Sequence, residues 1–563
     1  MRPLVKIVLA SALAGGAMHA QNENFDQLLD RFVYGSLALA PVDATAAGLH
    51  AHDGKQLDNL LDDYSVAGIR QRIQFYSGMK LALDRIAPQS LQPEQRADYR
   101  LMRDQVELML LRFGTTRDHE HNPTVYVELV GNALFTPFVL DYAPKPQRFQ
   151  SIIERLDRVP TLMQQAKQNL RDAPEVWNRV AQEENDGNLR LIDDTLRRNV
   201  PPELKSEYDK AAGGALASLR DFNAFLSGDL SKKTSDWRLG KKVYDVKFKW
   251  TLDIGKTPAQ VLNEAETALK SVQAEMRKLA RTQSIPEALN AIAQRHATPA
   301  AYMNEAKRDL EEATDFIKAK NLVPLPGPAR LDVIETPEFM RGIYGVGGFN
   351  PAPALEPQLG AFYWVTPIPP GWPRERVESK LREYNEYGMQ ELTIHEAMPG
   401  HFVQFEYANR VQPQTRRVLR NLYGNGPYVE GWATYTQQLM SDEGYLNNSV
   451  PLRMTFLKQM LRVITNAILD IRLQTMHMTD DEAMDLMLTQ AYQEKEEAAA
   501  KLQRAKLSSC QLPMYFVGWR GWLDVREAYA KQLGPKFNLS EFHKRALEES
   551  AVPLPVLNEL LQY

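Results

Sequence analysis

The chain has 563 residues, of which 44% are apolar and 25% charged, and a formal net charge of −4. That balance belongs to a folded, soluble protein with material for one large core or several. The weak charge and scattered Lys and Arg exclude an electrostatic footprint for nucleic acid. Cys510 is the only cysteine, which excludes an intramolecular disulfide and leaves stability to the core.

In residues 1–20, Arg2 and Lys6 precede an apolar run, Ile7 to Ala17, and polar sequence begins at Gln21. This is the pattern of a secretory signal peptide cut after Ala20, although Met18 stands where a small residue is expected. No cysteine follows the run, so the expectation is an exported, periplasmic chain without a cysteine-built lipid anchor. No later stretch approaches the roughly 18 apolar residues of a membrane span, so no stable membrane insertion is expected.

Residues 21–330 read as a helical N-terminal half. Apolar spacing near 3.6 predicts helices at the start of 25–95, over 56–87 and 91–112, and along 148–184 and 203–225. Helices are also expected over 258–280, 286–295 and 302–319, while KKVYDVKFKWTLDI (241–254) alternates like a short strand or extended crossing. His50, His52 and Asp53 fall in a polar connection and read as a solvated loop or a hydrogen-bond cluster rather than metal ligands. HEHNP (119–123) ends in Asn-Pro and reads as loop.

Residues 331–563 read as a catalytic half. A Pro- and Gly-rich stretch carries two candidate strands, RLDVIETP and GAFYWVTPI, the second offering Tyr363 at a cleft edge where an extended peptide could pair. Its GVGG lacks the strand-to-helix context of a phosphate loop. Helices are predicted over 374–398, 428–441, 451–476, 480–507 and 513–532, then an amphipathic helix in LSEFHKRALEES and a short docked PLPVLNELL.

The segment ELTIHEAMPGHF (391–402) holds His395, Glu396 and His401. A catalytic zinc keeps three protein ligands and one open position, and helical sites place two histidines at i and i+4. Here the spacing is i+6, about 240° of rotation and roughly 9 Å of rise on a regular helix, too far for one ion. Pro399 lacks the N–H owed to the carbonyl of His395, and Gly400 tolerates unusual dihedrals. A two-residue bulge there would return His401 to the face of His395. Glu430, in GPYVEGWATYTQQ, lies beside an apolar stripe and must be paired or bound, which makes it the third ligand; Gly431 lets another backbone approach. Glu396 then takes a proton from water as general base. The motif is short, and histidines at helix ends often only cap, so spacing alone leaves both readings open.

HEAMPGH followed by Gln404, with EGWATY downstream, resembles the bacterial family catalogued as domain of unknown function 885 (DUF885). The resemblance runs from ATAAGLHAHD to CQLPMYFVG. It implies a mainly α, zinc-peptidase-like fold with a small strand region beside the active-site helix. It also implies His395, His401 and Glu430 as metal ligands, Glu396 as base, and an exported bacterial peptidase. The chain departs from the family pattern at Ser509, Cys510 and Leu512, at Gln437 where an acid is usual, and at Gln474 where a histidine is expected.

Tyr515 is the candidate oxyanion donor, its alternative being an interface tyrosine in MYFVGW. Arg504 and Arg520 are candidates for a substrate carboxylate, their alternative being structural ion pairs. Cys510 reads as a small buried side chain. The expected function is zinc-dependent hydrolysis of small or extended peptides. The alternatives are a catalytically impaired peptide-binding or scaffolding protein, and a metal-dependent hydrolase of another amide or ester.

Overall fold

A computed structural model describes residues 24–327, 330–337, 341 and 345–562; the expected signal peptide lies outside the described residues. The chain is mainly helical, as expected, with a hairpin of Ala51–His52 on Lys55–Gln56 and one three-stranded sheet. Among the described residues no helix is long and apolar enough to cross a membrane.

The hydrophobic core does not divide at 330. One apolar cluster is confined to 64–230, built on Lys145–Leu156, Val159–Asn169 and Lys205–Ser227. The largest cluster joins Phe32, Met102, Tyr244 and Leu269 to Trp432, Leu461 and Trp522. The first helix, Phe25–Ala38, and the long helix Pro258–Ala280 therefore bury their apolar stripes on the C-terminal half. A third cluster wraps the sheet, with Tyr302, Tyr363, Leu381 and Met389.

The sheet comprises β1 (Leu331–Glu335), β2 (Gly347–Asn350) and β3 (Ala361–Val365), in the order β1-β3-β2. β3 pairs parallel with β1 and antiparallel with β2. Both candidate strands exist, but β3 is central, so the expected cleft-edge role of Tyr363 is overturned. Its ladder bonds are taken on both sides, its ring is fully buried, and its hydroxyl meets Thr393 Oγ1 at 3.1 Å. The glycine-rich β2 was not legible as a strand.

The helices that carry the site are α1 (Glu386–Glu396), α2 (His401–Ala408), α3 (Gly426–Asp442), α4 (Val450–Thr475), α5 (Lys495–Leu507) and α6 (Pro513–Leu533). The long helix expected over 374–398 is broken. Asn385 caps α1 by accepting from the N–H of Tyr387 and Gly388, and a Cβ on Gly388 would lie 2.5 Å from the Glu383 carbonyl. The helix expected over 480–507 is also broken, between Gln490 and Lys495.

Residues Gly240–Leu252 form a helix rather than a strand. Tyr244, Phe248 and Leu252 are buried four residues apart, and Lys241 pairs with Asp245 on the wet face. The HEHNP patch contains a single helical turn, Asp118–His121, instead of only loop.

Candidate metal centre

The centre starts from a helix that stops. α1 ends at Glu396 and α2 restarts at His401, so the chain breaks completely between the histidines instead of bulging by two residues. Within the break the Gly400 N–H donates to the Ile394 carbonyl at 3.0 Å. A Cβ on Gly400 would stand 1.9 Å from the His395 carbonyl oxygen, so only glycine fits there. The indole N–H of fully buried Trp432, on α3, reaches the carbonyls of Pro399 and Gly400 at 2.9 and 3.2 Å. The turn that reorients His401 is thus clamped by the helix that carries Glu430.

As a result the imidazoles of His395 and His401 lie 4.8 Å apart, ring centre to ring centre, nearly perpendicular. Their Nε2 atoms stand 3.4 and 3.5 Å from the same Glu430 oxygen, Oε2. These are the donors available to an ion within 4.8 Å of one another. A tetrahedral zinc with ligand bonds of about 2.0–2.1 Å spaces its ligands about 3.4 Å apart, which matches the two separations between the histidines and Glu430 Oε2. Glu430 Oε2 has no hydrogen bond in this buried place, and neither has His401 Nδ1. Burial alone would raise the Glu430 carboxyl, but the two imidazoles outweigh it and hold the group well below the usual carboxylate range.

Glu396 points into the same space without joining the three donors. Burial, with Glu430 adding repulsion, pushes its carboxyl up to about 7 against the pull of His395 and the Phe349 N–H. Phe349, on β2, lies over His401 with centroids 6.3 Å apart, so the strand missed in the sequence forms one wall. Its position had no sequence signal beyond an aromatic after two glycines.

The opposite wall is α6. α3 and α6 cross at Gly431 and Gly518, where a Cβ on either would fall within 2.7 Å of the other's backbone. The close approach expected at Gly431 is therefore present, and its partner is Gly518. One turn before the crossing, Tyr515 stacks over His395 at 6.2 Å. Burial and Glu430 push its phenol up to about 12, so it stays a proton donor at neutral pH.

Arg504 donates to Gln511 Oε1 at 3.2 Å and to the Tyr515 hydroxyl at 3.4 Å, which brings it to the rim of the centre. Arg520 is not brought there: it is exposed and lies over the Trp519 ring. Gln437 donates to the Glu391 carbonyl at 3.1 Å. Gln474 ties the end of α4 to the Leu239 N–H and the Ser508 carbonyl. Both departures from the family pattern thus carry structural hydrogen bonds. Cys510 is buried and free, and its N–H donates to Asp470, which also accepts from Tyr244. Sequence reading missed Trp432 as a clamp and Lys501, whose long side chain is buried beside the centre.

Among curated proteins none matches the chain. Among solved structures, a "putative lipoprotein of unknown function" from Shewanella oneidensis superposes with a TM-score of 0.80 at 27% identity, over 96% of this chain and 100% of the other. A "putative lipoprotein" from Colwellia psychrerythraea gives 0.79 at 17% identity, over 96% and 98%, a likeness of fold alone. The model of the bacterial proteins of unknown function called DUF885 matches residues 41–561, and with nearly the whole chain inside that match, the protein belongs to this family.

Proposed function

We propose that the protein is a zinc-dependent hydrolase of peptide bonds, acting on small or extended peptides after export to the periplasm. The observation that carries this reading is the convergence of His395 Nε2 and His401 Nε2 on one Glu430 oxygen, at 3.4 and 3.5 Å. Bound there, a zinc ion would polarise a substrate carbonyl and acidify a water.

The chain's own groups supply the rest. Glu396, raised to about 7 by burial, is poised to take a proton from water and return it to the leaving nitrogen. Tyr515, still protonated at neutral pH, offers its O–H to the developing oxyanion. Phe349 and the Tyr515 ring flank the histidines and keep them from swinging.

The test is hydrolysis of a peptide mixture by protein of measured zinc content, before and after chelation, alongside Glu396→Gln. We expect chelation to abolish cleavage and zinc to restore it. Glu396→Gln should lose about 10²–10⁴-fold in turnover while keeping its metal. Turnover indifferent to both changes overturns the reading. Zinc binding with tight peptide capture and no cleavage would instead favour the binding or scaffolding alternative, and cleavage of esters or other amides alone would favour the third.

A further inference from the structure

Beside the centre, α5 presents a lysine and an arginine that form no ion pair among the described residues. Lys501 is 5% exposed and makes no hydrogen bond or ion pair among the described residues. Arg504, one turn on, is exposed and uses one nitrogen, Nη2, on the neutral Gln511 and Tyr515, which leaves the rest of its fork open. The acid nearest in sequence, Glu497, is already engaged by Arg462 and by the Tyr384 hydroxyl at 3.2 Å. The other acid that Lys501 feels is Glu430, which belongs to the histidines. The carboxylates Glu497, Glu383 and Glu430 around Arg462, Lys501 and Arg504 are each already engaged, by Arg462, by Lys458 and by the two histidines.

Burial and the neighbouring Arg462 and Arg504 push the Lys501 amine well below its usual range, and an anion entering beside it would favour the return of its proton. Arginine's fork and lysine's point charge together suit a carboxylate. We propose that Lys501 and Arg504 form a subsite for a substrate carboxylate, that of the peptide's C-terminal end, so that cleavage falls near that end. This rests on the hydrolase reading and gives it a substrate class. Arg504 touches the Tyr515 hydroxyl, and the Tyr515 ring lies on His395, so the subsite is one side chain away from the metal donors. At about 3.5 Å per extended residue, that interval holds one or two residues. The products are single amino acids or dipeptides released from the C-terminus.

The test uses the zinc-loaded full chain carrying Glu396→Gln, which keeps a bound peptide whole, and calorimetric titration with penta-alanine as free acid and as C-terminal amide. We expect the acid to bind about tenfold to a hundredfold more tightly, the worth of one or two charge-assisted hydrogen bonds. Arg504→Gln and the isosteric Lys501→Met, each added to that chain, should close the gap while zinc content stays unchanged. A third probe, tetra-alanyl-glutamate amide, separates sources: binding like the amide assigns the subsite to the chain end, and binding like the acid assigns it to any carboxylate. Equal affinity for acid and amide, no binding of either, or a gap that survives both substitutions overturns the subsite. Product masses from the unsubstituted protein keep the two readings apart. Cleavage of acid and amide alike leaves the hydrolase standing and removes the subsite, whereas an affinity gap without any cleavage does the reverse.

Discussion

Two histidine clusters in this chain use the same residue types to opposite ends. At His50, Nδ1 meets Asp58 at 3.0 Å and Nε2 meets Glu356 at 3.1 Å, while the ring stacks on Tyr142 at 4.2 Å. Both nitrogens are consumed by different acids pulling in opposite directions, so the ring is a strut tying the N-terminal loop to the strand region. At His395 and His401, two nitrogens from different helices aim at one oxygen and leave room between them. Convergence, rather than the number of histidines and carboxylates, separates a candidate ion site from a structural clamp.

The sharpest way to break this contrast is to add zinc and follow melting. An ion at about a thousand times its Kd adds about 4 kcal/mol of stability to a protein that binds it only when folded. The melting temperature of the unsubstituted protein and of His50→Gln should rise with zinc, and that of His401→Gln should not. A response that follows His50 instead would reverse the assignment.

Gly400→Ala should have a smaller effect, about 2–4 kcal/mol, because the new methyl meets the His395 carbonyl and the turn must open. Its zinc response should fall with it, since His401 would leave Glu430. An unchanged melting temperature with full metal content would mean that the histidines do not depend on the turn.

The smallest effect belongs to the strut. Burial opposes the charged imidazole of His50, but Asp58 and Glu356 prevail and raise its pKa above 6.5. A raised folded-state pKa gives stability that is fully present below the unfolded value near 6.5 and is lost as pH rises through the folded one. The melting gap between the unsubstituted protein and His50→Gln should therefore be widest in mild acid, about 1 kcal/mol after solvent screening, and should narrow as the pH is raised. A gap that stays constant with pH would show that charge on His50 contributes nothing.

The sequence exposed the residues of the centre better than its scaffold. The convergence of His395, His401 and Glu430 was legible because few residue types can hold an ion, and Pro399-Gly400 announced the irregularity between the histidines. The form of that irregularity was not legible, because it depends on Trp432, thirty-odd residues downstream, meeting two carbonyls. Residues 241–252 misled because Val243, Tyr244, Val246 and Phe248 mimic alternation while only every fourth position is buried. Lys501 gave no signal, since a lysine in a charged helix normally faces water and only packing reveals that this one does not. The 374–398 break was hidden in the same way, its cap formed by an asparagine that polar sequence surrounds on both sides.

The contact between Gly431 and Gly518 has a consequence for motion and for redesign. With main chain pressed on main chain, α3 and α6 have no side-chain cushion at their crossing and must travel as one splint. Glu430 and the phenol of Tyr515 are therefore mounted on a common bracket. Any widening of the space over His395 and His401 has to come from the β2 wall or from α5. Efforts to retune selectivity would best begin on those two elements, where a shift of an ångström leaves the bracket untouched.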